Sequence, residues 1–411
     1  MRKVYHALML NFHQPSGNLE SLLETNEWEA KELLWTLDRM PRALWDQEGL
    51  ARVHLSLSGT LLETLSTPAF QERVYGIVKT GDVLWYLQNR RLFEVLGTAY
   101  YHPVLPLIPP ADREEQLQRW LGIGRHLFWR NDFQGFWPPE MGFCMELIPL
   151  LCKLGYRYVL ADSRHVEPLQ PMGWPELRYR PHIARHDGAE IIVVVRDREL
   201  SDAQQSGMDA GWFMQEVHQR TMHCDFPPLV LTATDGDNGG WFRNTHEKGN
   251  FWSVCYRALL DWVRRGETEI EPIINHDYLE RYGAAGEVKV NTGAWNTGWH
   301  HGTGFLQWTG SDAQKQALAR VKEVSDALQA AGNKARERHA DSAAVTAELE
   351  QARWRLLRAE TSCNFFWGED WVHKAHADLD AAQQHLAQAI ERLPTETKRQ
   401  AEVQTDSIGA D

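Results

Sequence analysis

Two carboxylates stand out in this 411-residue chain because of what surrounds them. The first is Glu140, in Gly135-Phe136-Trp137-Pro138-Pro139-Glu140-Met141-Gly142-Phe143. Two prolines end strand pairing and stiffen the chain just before the acid, and a partly dry aromatic setting can tune a carboxylate and hold it in attacking geometry. A glutamate that only answers a helix N-terminal dipole would look the same when taken alone. The second is Asp235, in Thr234-Asp235-Gly236-Asp237-Asn238-Gly239-Gly240-Trp241, where an acid follows an apolar run and enters a glycine-rich loop that permits close approach of a ligand. The Asp-x-Asp-Asn-Gly run shares the opening of a calcium loop, but its twelfth position holds His246 instead of the glutamate such loops need.

Two carboxylates among aromatic rings are the equipment of glycoside chemistry, in which one attacks or stabilises the anomeric carbon and the other protonates the leaving oxygen. Sugar C–H faces stack on indoles, and the chain uses Trp heavily: 18, beside 14 Phe and 11 Tyr. Trp137, Trp241, Trp295, Trp299, Trp308 and Trp367 fall in or beside loop sequence rich in Gly, Asn or His, whereas Trp35, Trp45, Trp120, Trp252 and Trp354 fit helix faces and read as core. With 43 Lys and Arg against 56 Asp and Glu, the net charge of −13 offers no footprint for phosphate backbones or anionic lipid, so nucleic acid and membranes are not expected partners. The five cysteines, Cys144, Cys152, Cys224, Cys255 and Cys363, form no C-x-x-C pair and read as reduced thiols. The N-terminal apolar run is broken by His6 and ends at Asn11, too short and polar for a secretory or membrane-spanning segment, which makes the cytoplasm the expected address.

The elements that must position these groups read as βα units. Apolar, β-rich runs recur at 4–12, 53–58, 91–97, 133–138, 156–162, 190–197 and 229–235, with helical stretches such as 19–46, 111–129, 144–154, 212–222 and 251–265 between most of them. A closed α/β barrel is the simplest packing. His13, Gln14, Glu94, Glu140, Asp162, Asp197 and Asp235 stand near the C-terminal ends of these runs, the face on which such barrels carry their chemistry, although any one of them could be an ordinary capping residue. Beyond about residue 310 the chain turns Ala-, Gln-, Glu- and Arg-rich, with Leu318, Val321, Val324 and Leu328 at helical spacing; helices are expected over 312–332, 341–360 and 370–393. The division expected is 1–310 as catalytic barrel with inserted loops, 311–394 as a helical region completing the cleft, and 395–411 as a mobile tail.

In order along the chain, His13-Gln14-Pro15, Glu94 in FEVLGTAYYHPVLPLI, Trp137-Pro138-Pro139-Glu140, Asp235-Gly236-Asp237 and AETSCNFFWGED around Trp367 resemble the five motifs of glycoside hydrolase family 57. The resemblance covers roughly residues 4–370 and implies an incomplete TIM-like (β/α)7 barrel followed by a C-terminal helical bundle. It implies a retaining enzyme on α-glucosidic bonds, without cofactor or metal, in which Glu140 is the nucleophile and Asp235 the acid/base. His13, Gln14, Glu94, Trp137, Trp241, Trp295, Asn364 and Trp367 are the candidate substrate-binding residues. Two positions depart from the family pattern: Asp237 stands where members often have Glu, and Asn364 where they often have Asp. The substrate implied is an α-glucan or maltooligosaccharide. Hydrolysis and transfer share the first half-reaction, so an amylase, a 4-α-glucanotransferase and a branching enzyme are all compatible with the motifs. A metal-dependent deacetylase or mannosidase, drawing on His6, His13, His102, His182, Asp162 and Asp197, and a glucan-binding protein without turnover are the other readings. His182 and His186 have the helical ligand spacing but lie on a strand-like run where they do not converge, and His300-His301 are loop histidines beside Trp299.

Overall fold

A computed structural model of the chain describes residues 3–244, 246, 248–298, 304–338 and 342–393. The tail expected from 395, Trp299 and the pair His300-His301 lie outside the described residues. The chain divides into two compact units, one of Met1–Pro106 with Arg113–Leu306 and one of Leu107–Asp112 with Gln307–Asp411.

In the first unit seven parallel strands follow the seven runs read from the sequence: β1 (Val4–Phe12), β2 (Val53–Leu57), β3 (Phe93–Leu96), β4 (Gly135–Phe136), β5 (Tyr158–Asp162), β6 (Ala189–Arg196) and β7 (Leu229–Asp235). Their order is β3-β2-β1-β7-β6-β5-β4. The ring is closed by a parallel bridge between Gly97, just after β3, and Phe136 of β4, with Gly97 N–H donating to the Gly135 carbonyl and Trp137 N–H to the Gly97 carbonyl, both at 2.8 Å. Glycine is needed at this seam. A Cβ on Gly97 would lie 2.2 Å from the Tyr156 hydroxyl, and one on Gly135 would lie 2.2 Å from the Tyr158 ring. Outside the ring, Ile270–Pro272 pairs with β1 and His182–His186 pairs antiparallel with β6.

Strand periodicity decides what points into the barrel. Along β7, Leu229, Leu231 and Ala233 join Met9, Leu96, Tyr158, Leu160 and Val194 in the interior cluster, while Val230 packs outward against Phe213, Val217 and Leu259 of the helical layer. Both faces are buried, which is why no charged residue interrupts the run before Asp235. Asp235 shares the parity of Ala233, Asn11 that of Met9, Glu94 that of Leu96, Asp162 that of Leu160 and Arg196 that of Val194, so all five polar groups belong to the interior face.

The second unit contains the helices Asp312–Glu337, Ala343–Ala359 and Glu369–Glu391. The first opens on a capping box between Ser311 and Gln314 and buries Val321, Val324 and Leu328. The carboxylate of Asp378 on the third helix takes hydrogen bonds from Arg355 (3.2 Å) and Arg358 (2.8 Å) on the second. No described helix is long and apolar enough to cross a membrane.

Several tryptophans fall differently from the expectation. Trp120 and Trp252 are buried as read, but Trp45 is 70 % exposed and Trp35 37 %. Trp45 caps the C-terminal end of the helix Glu27–Leu44, and it and Trp35 lie off the buried stripe of Leu33, Leu37, Met40 and Leu44. Conversely Trp308, expected in a loop, lies on the short helix Leu306–Thr309 and is fully buried.

Candidate active site

Glu140 follows β4 in a single tight turn, Pro139–Met141, and its backbone is left-handed, with φ 56° and ψ 16°. Met141 is left-handed as well. A non-glycine residue in this region is strained and persists where its surroundings hold it. They do so from both sides: Met141 N–H donates to the Pro138 carbonyl and Gly142 N–H to the Pro139 carbonyl (both 2.8 Å), while Trp295 N–H donates to the Glu140 carbonyl (3.1 Å). The loop bearing Trp295 is itself docked, since Phe143 and Gly293 exchange backbone hydrogen bonds of 3.0 and 3.2 Å. Its indole Nε1–H donates to Glu140 Oε2 at 3.0 Å.

The other Glu140 oxygen, Oε1, lies 3.8 Å from His102 Nε2. Burial pushes the His102 imidazole down to about 3, so the ring is neutral at ordinary pH. It stacks on His13, with centroids 4.1 Å apart and planes 10° from parallel. Burial, with the neighbouring His102, drives His13 far below the usual histidine range, and both of its ring nitrogens are buried without a hydrogen-bond partner. Two unsatisfied nitrogens on one buried ring are costly unless a ligand meets them.

Asp235 ends β7 beside Asn11 of β1, whose Nδ2–H donates to its Oδ1 at 3.0 Å. Burial raises this carboxyl above the usual aspartate value, while hydrogen bonds from Asn11 and Asn238 and the Arg196 charge pull partly the other way. Gly236 brings the loop over Phe12, whose ring would meet a Cβ at 2.4 Å, so the Asp-Gly-Asp run needs its glycine. Asp237 is pushed up to about 7 by burial and by Asp235, and Gln14 Nε2–H donates to it at 3.1 Å. In the ring order β4 and β7 stand three steps apart, as far as seven strands allow, so Glu140 and Asp235 leave the barrel from opposite sides of its C-terminal mouth.

The surroundings of the two acids meet through Trp295, which bonds Glu140, and Arg196, whose charge acts on Asp235, while His102 and His13 line the Glu140 side. The Arg196 guanidinium lies 5.8 Å from the Trp295 ring centroid. Trp137 is buried edge-on to Trp295 with centroids 5.9 Å apart, and its indole nitrogen is unpartnered, as is that of the half-buried Trp241. This carboxylate pair, lined by indoles and by unpartnered buried polar nitrogens, is suited to a neutral polyhydroxylated ligand.

A model of glycosyl hydrolase family 57 matches residues 16–290. The chain belongs to this family. Among curated relatives, an α-amylase of Pyrococcus furiosus is 26 % identical over 296 residues, covering 70 % of this chain and 40 % of the relative. A 4-α-glucanotransferase of Thermococcus kodakarensis is 27 % identical over 303 residues, covering 68 % and 40 %. The chain therefore spans about two fifths of the length of these two relatives. Among solved structures, the family 57 branching enzyme of Pyrococcus horikoshii shares the fold, with a TM-score of 0.68 at 16 % identity over 95 % of this chain and 88 % of that one. The (β/α)7 barrel with a C-terminal helical region is the architecture of the family 57 member described here.

Glu94 is held by other partners than this group. Glu94 is the second residue of β3 rather than its end, and its carboxylate is engaged by the Tyr158 hydroxyl (2.7 Å), His54 Nε2 (3.4 Å) and the His276 backbone N–H (3.3 Å). Burial opposes its charge, yet those contacts outweigh it and hold the group below the usual glutamate range. Asn364 and Trp367 belong to the second unit. The Asn364 side chain is buried and donates to the Ala359 carbonyl at 3.0 Å, whereas Trp367 is 56 % exposed beside Phe366 and Trp371. Asp197, read as a strand-end acid, is a helix N-cap bound by Tyr179, Arg178 and Arg220. His6 bonds Thr232 and His182 bonds the Leu177 carbonyl, and the described residues hold no group of three or more His, Cys, Asp or Glu arranged for a metal. Sequence reading missed Asn11 and Arg196 as neighbours of Asp235, and it weighed His102 only as a metal ligand. Strand parity carried the signal for the first two, and a His-Pro step shortly after β3 carried it for the third.

Proposed function

We propose that this chain is a retaining enzyme on the α-glucosidic bonds of α-glucans or maltooligosaccharides, α-amylase-like, working by double displacement. The Glu140 carboxylate attacks the anomeric carbon as the glycosidic C–O bond breaks, and Asp235 gives its proton to the departing oxygen. The Asp235 carboxylate then takes a proton from water whose oxygen attacks the same carbon, releasing Glu140 and restoring both residues. The observation that carries this reading is the complementary setting of the two acids. Glu140 is held by an indole N–H on a strained turn, as a nucleophile must be aimed, while burial favours the protonated form of Asp235, as an acid requires.

His13, Gln14, Trp137, Trp241 and Trp295 are assigned to the substrate on this reading. The unpartnered nitrogens of His13, Trp137 and Trp241 would meet sugar hydroxyls. Glu94 would act from within the barrel through Tyr158 and His54, and Asn364 and Trp367 retain their assignment from the motif resemblance alone. Transfer to an acceptor sugar uses the same glycosyl-enzyme, and relatives bearing hydrolase and transferase names both support keeping it as the alternative. The five cysteines form no disulfide, which agrees with a reducing compartment, and we place the protein in the cytoplasm on that basis.

Product analysis on maltooligosaccharides by NMR tests the reading. The α-anomer is expected first, and chain elongation would mark transfer; a β-anomer as first product would overturn retention. Glu140→Gln is expected to lower kcat by at least about a thousandfold, and a variant retaining a tenth of the activity would remove Glu140 from the nucleophile's role.

A further inference from the structure

Resting on that reading, we infer that Asp162 and its two arginines, Arg196 and Arg198, form a bracket that sets the position of Glu140 relative to Asp235, as positioning residues that do not touch substrate. Asp162 ends β5 and is fully buried. Its Oδ2 accepts from Arg196 Nη1 at 2.8 Å and its Oδ1 from Arg198 Nε at 2.7 Å. The two guanidiniums then reach in different directions. Arg196 Nε–H donates to the Ala233 carbonyl at 2.8 Å, two residues before Asp235 on β7. Arg198 Nη1–H donates to the Thr297 carbonyl at 2.7 Å, in the loop that carries Trp295. That loop is closed on itself by Thr297 N–H to the Ala294 carbonyl and by Ala294 N–H to Thr297 Oγ1, so Trp295 moves with Thr297. Trp295 in turn holds Glu140 twice, by backbone and by indole, and the face of its ring lies against Arg196.

One buried carboxylate therefore ties together the end of the strand that carries the acid/base and the loop that aims the nucleophile. The alternative, that this is ion pairing for stability alone, has its control nearby. Asp197 is equally buried and its carboxylate equally multivalent, bound to Arg178, Arg220, Tyr179 and the Leu200 N–H, and these side-chain partners lead to neither the Trp295 loop nor Ala233. Loss of either aspartate should destabilise the fold, by orphaning the buried Arg196 and Arg198 in one case and the half-buried Arg178 and Arg220 in the other. Only loss of the first should disturb catalytic geometry, where an error of about 1 Å costs on the order of a hundredfold.

Arg196 adds an electrostatic readout. The groups facing Asp235 are Asn11 from β1, Asp237 and Asn238 from its own loop, and Arg196 from β6, the one cation named among them. Replacing it with a neutral side chain removes a force that favours ionised Asp235. The basic limb of the pH profile, which reports deprotonation of the acid, should therefore move to higher pH.

The experiment measures kcat, KM, the pH dependence of kcat/KM on maltoheptaose, and Tm for the full chain and for Asp162→Asn, Arg196→Gln, Arg196→Lys and Asp197→Asn. Expected are a kcat loss of about a hundredfold with little change in KM for Asp162→Asn, a similar loss with the basic limb moved upward for Arg196→Gln, and restoration of the limb in Arg196→Lys. Asp197→Asn should lower Tm while leaving kcat within about threefold. Equal kcat at matched Tm loss for Asp162→Asn and Asp197→Asn, or an unmoved limb in Arg196→Gln, overturns the inference and leaves the proposed function standing. A wild-type chain that turns over no α-glucan overturns the function, and this inference with it.

Discussion

At the scale of single residues, the site separates groups that bear charge from groups that set it. Trp295 is the sharpest case, because its indole nitrogen is the only part of the side chain that distinguishes it from Phe in its contact with Glu140. Trp295→Phe keeps the aromatic contact with Trp137 and Arg196 but removes a hydrogen bond to a carboxylate worth about 1.5–3 kcal/mol. We expect kcat to fall between about ten- and a hundredfold with Tm nearly unchanged, and unchanged kcat would show that the N–H does not aim the nucleophile. Asp237 makes a stability prediction instead. Its folded-state value near 7 lies above the ordinary 3.8, so between those values the folded chain holds a proton that the unfolded chain has released. Stability from this group is therefore present at low pH and declines as pH rises through that window, by a few kcal/mol at the order-of-magnitude level. Asp237→Asn should raise Tm at about pH 8 and change it little at about pH 4; the reverse dependence on pH would contradict the assignment.

At the scale of elements, the barrel depends on a seam between two of its shortest strands. β3 and β4 contribute four and two residues, and closure relies on Gly97 and Gly135, which leave room for Tyr156 and Tyr158 to cross. Tyr158 then reaches over Gly135 to hydrogen-bond Glu94, so the same glycine serves closure and the interior polar cluster. Gly135→Ala would place a methyl group inside contact distance of both the Tyr158 ring and Leu96. Overpacking at a site this tight costs about 1–3 kcal/mol or more, and thermal denaturation should show a Tm drop of several degrees. An unchanged Tm would mean that the seam opens without penalty. Glu140 follows this seam by four residues, so its strained turn rests on the correctness of the closure.

At the scale of the whole molecule, the net charge of −13 and the buried, neutral histidines beside the two acids agree with the uncharged ligand proposed above. On the proposed reading the carboxylate pair supplies both chemical roles, and the histidines beside it, His13 and His102, are held neutral by burial. Exhaustive dialysis against EDTA should therefore leave glucan turnover unchanged, and loss of activity restored by a divalent cation would revive the metal-dependent reading. The second unit carries its own core and cap, with Asn364 turned to the Ala359 carbonyl and Trp367 left largely exposed.

What the sequence determined by itself was the periodic and the local: seven apolar runs long enough to be strands, and two acids placed by proline and glycine where a chain leaves a strand. These are short-range properties, set by φ restriction, side-chain alternation and burial, and they are readable without knowing the partner. The inward parity of Asn11, Asp162 and Arg196 was present in the same alternation but carried no chemistry until β1 and β6 were placed beside β7 and β5 beside β6. Only the tertiary structure decided that Glu94 answers Tyr158 and His54, that Asp162 and Asp197 lead to different places, and that Trp45 faces solvent while Trp308 is buried. Each of these depends on which residue distant in sequence arrives within about 3–4 Å, and hydrogen bonding and burial are too short-ranged for composition or spacing to specify that.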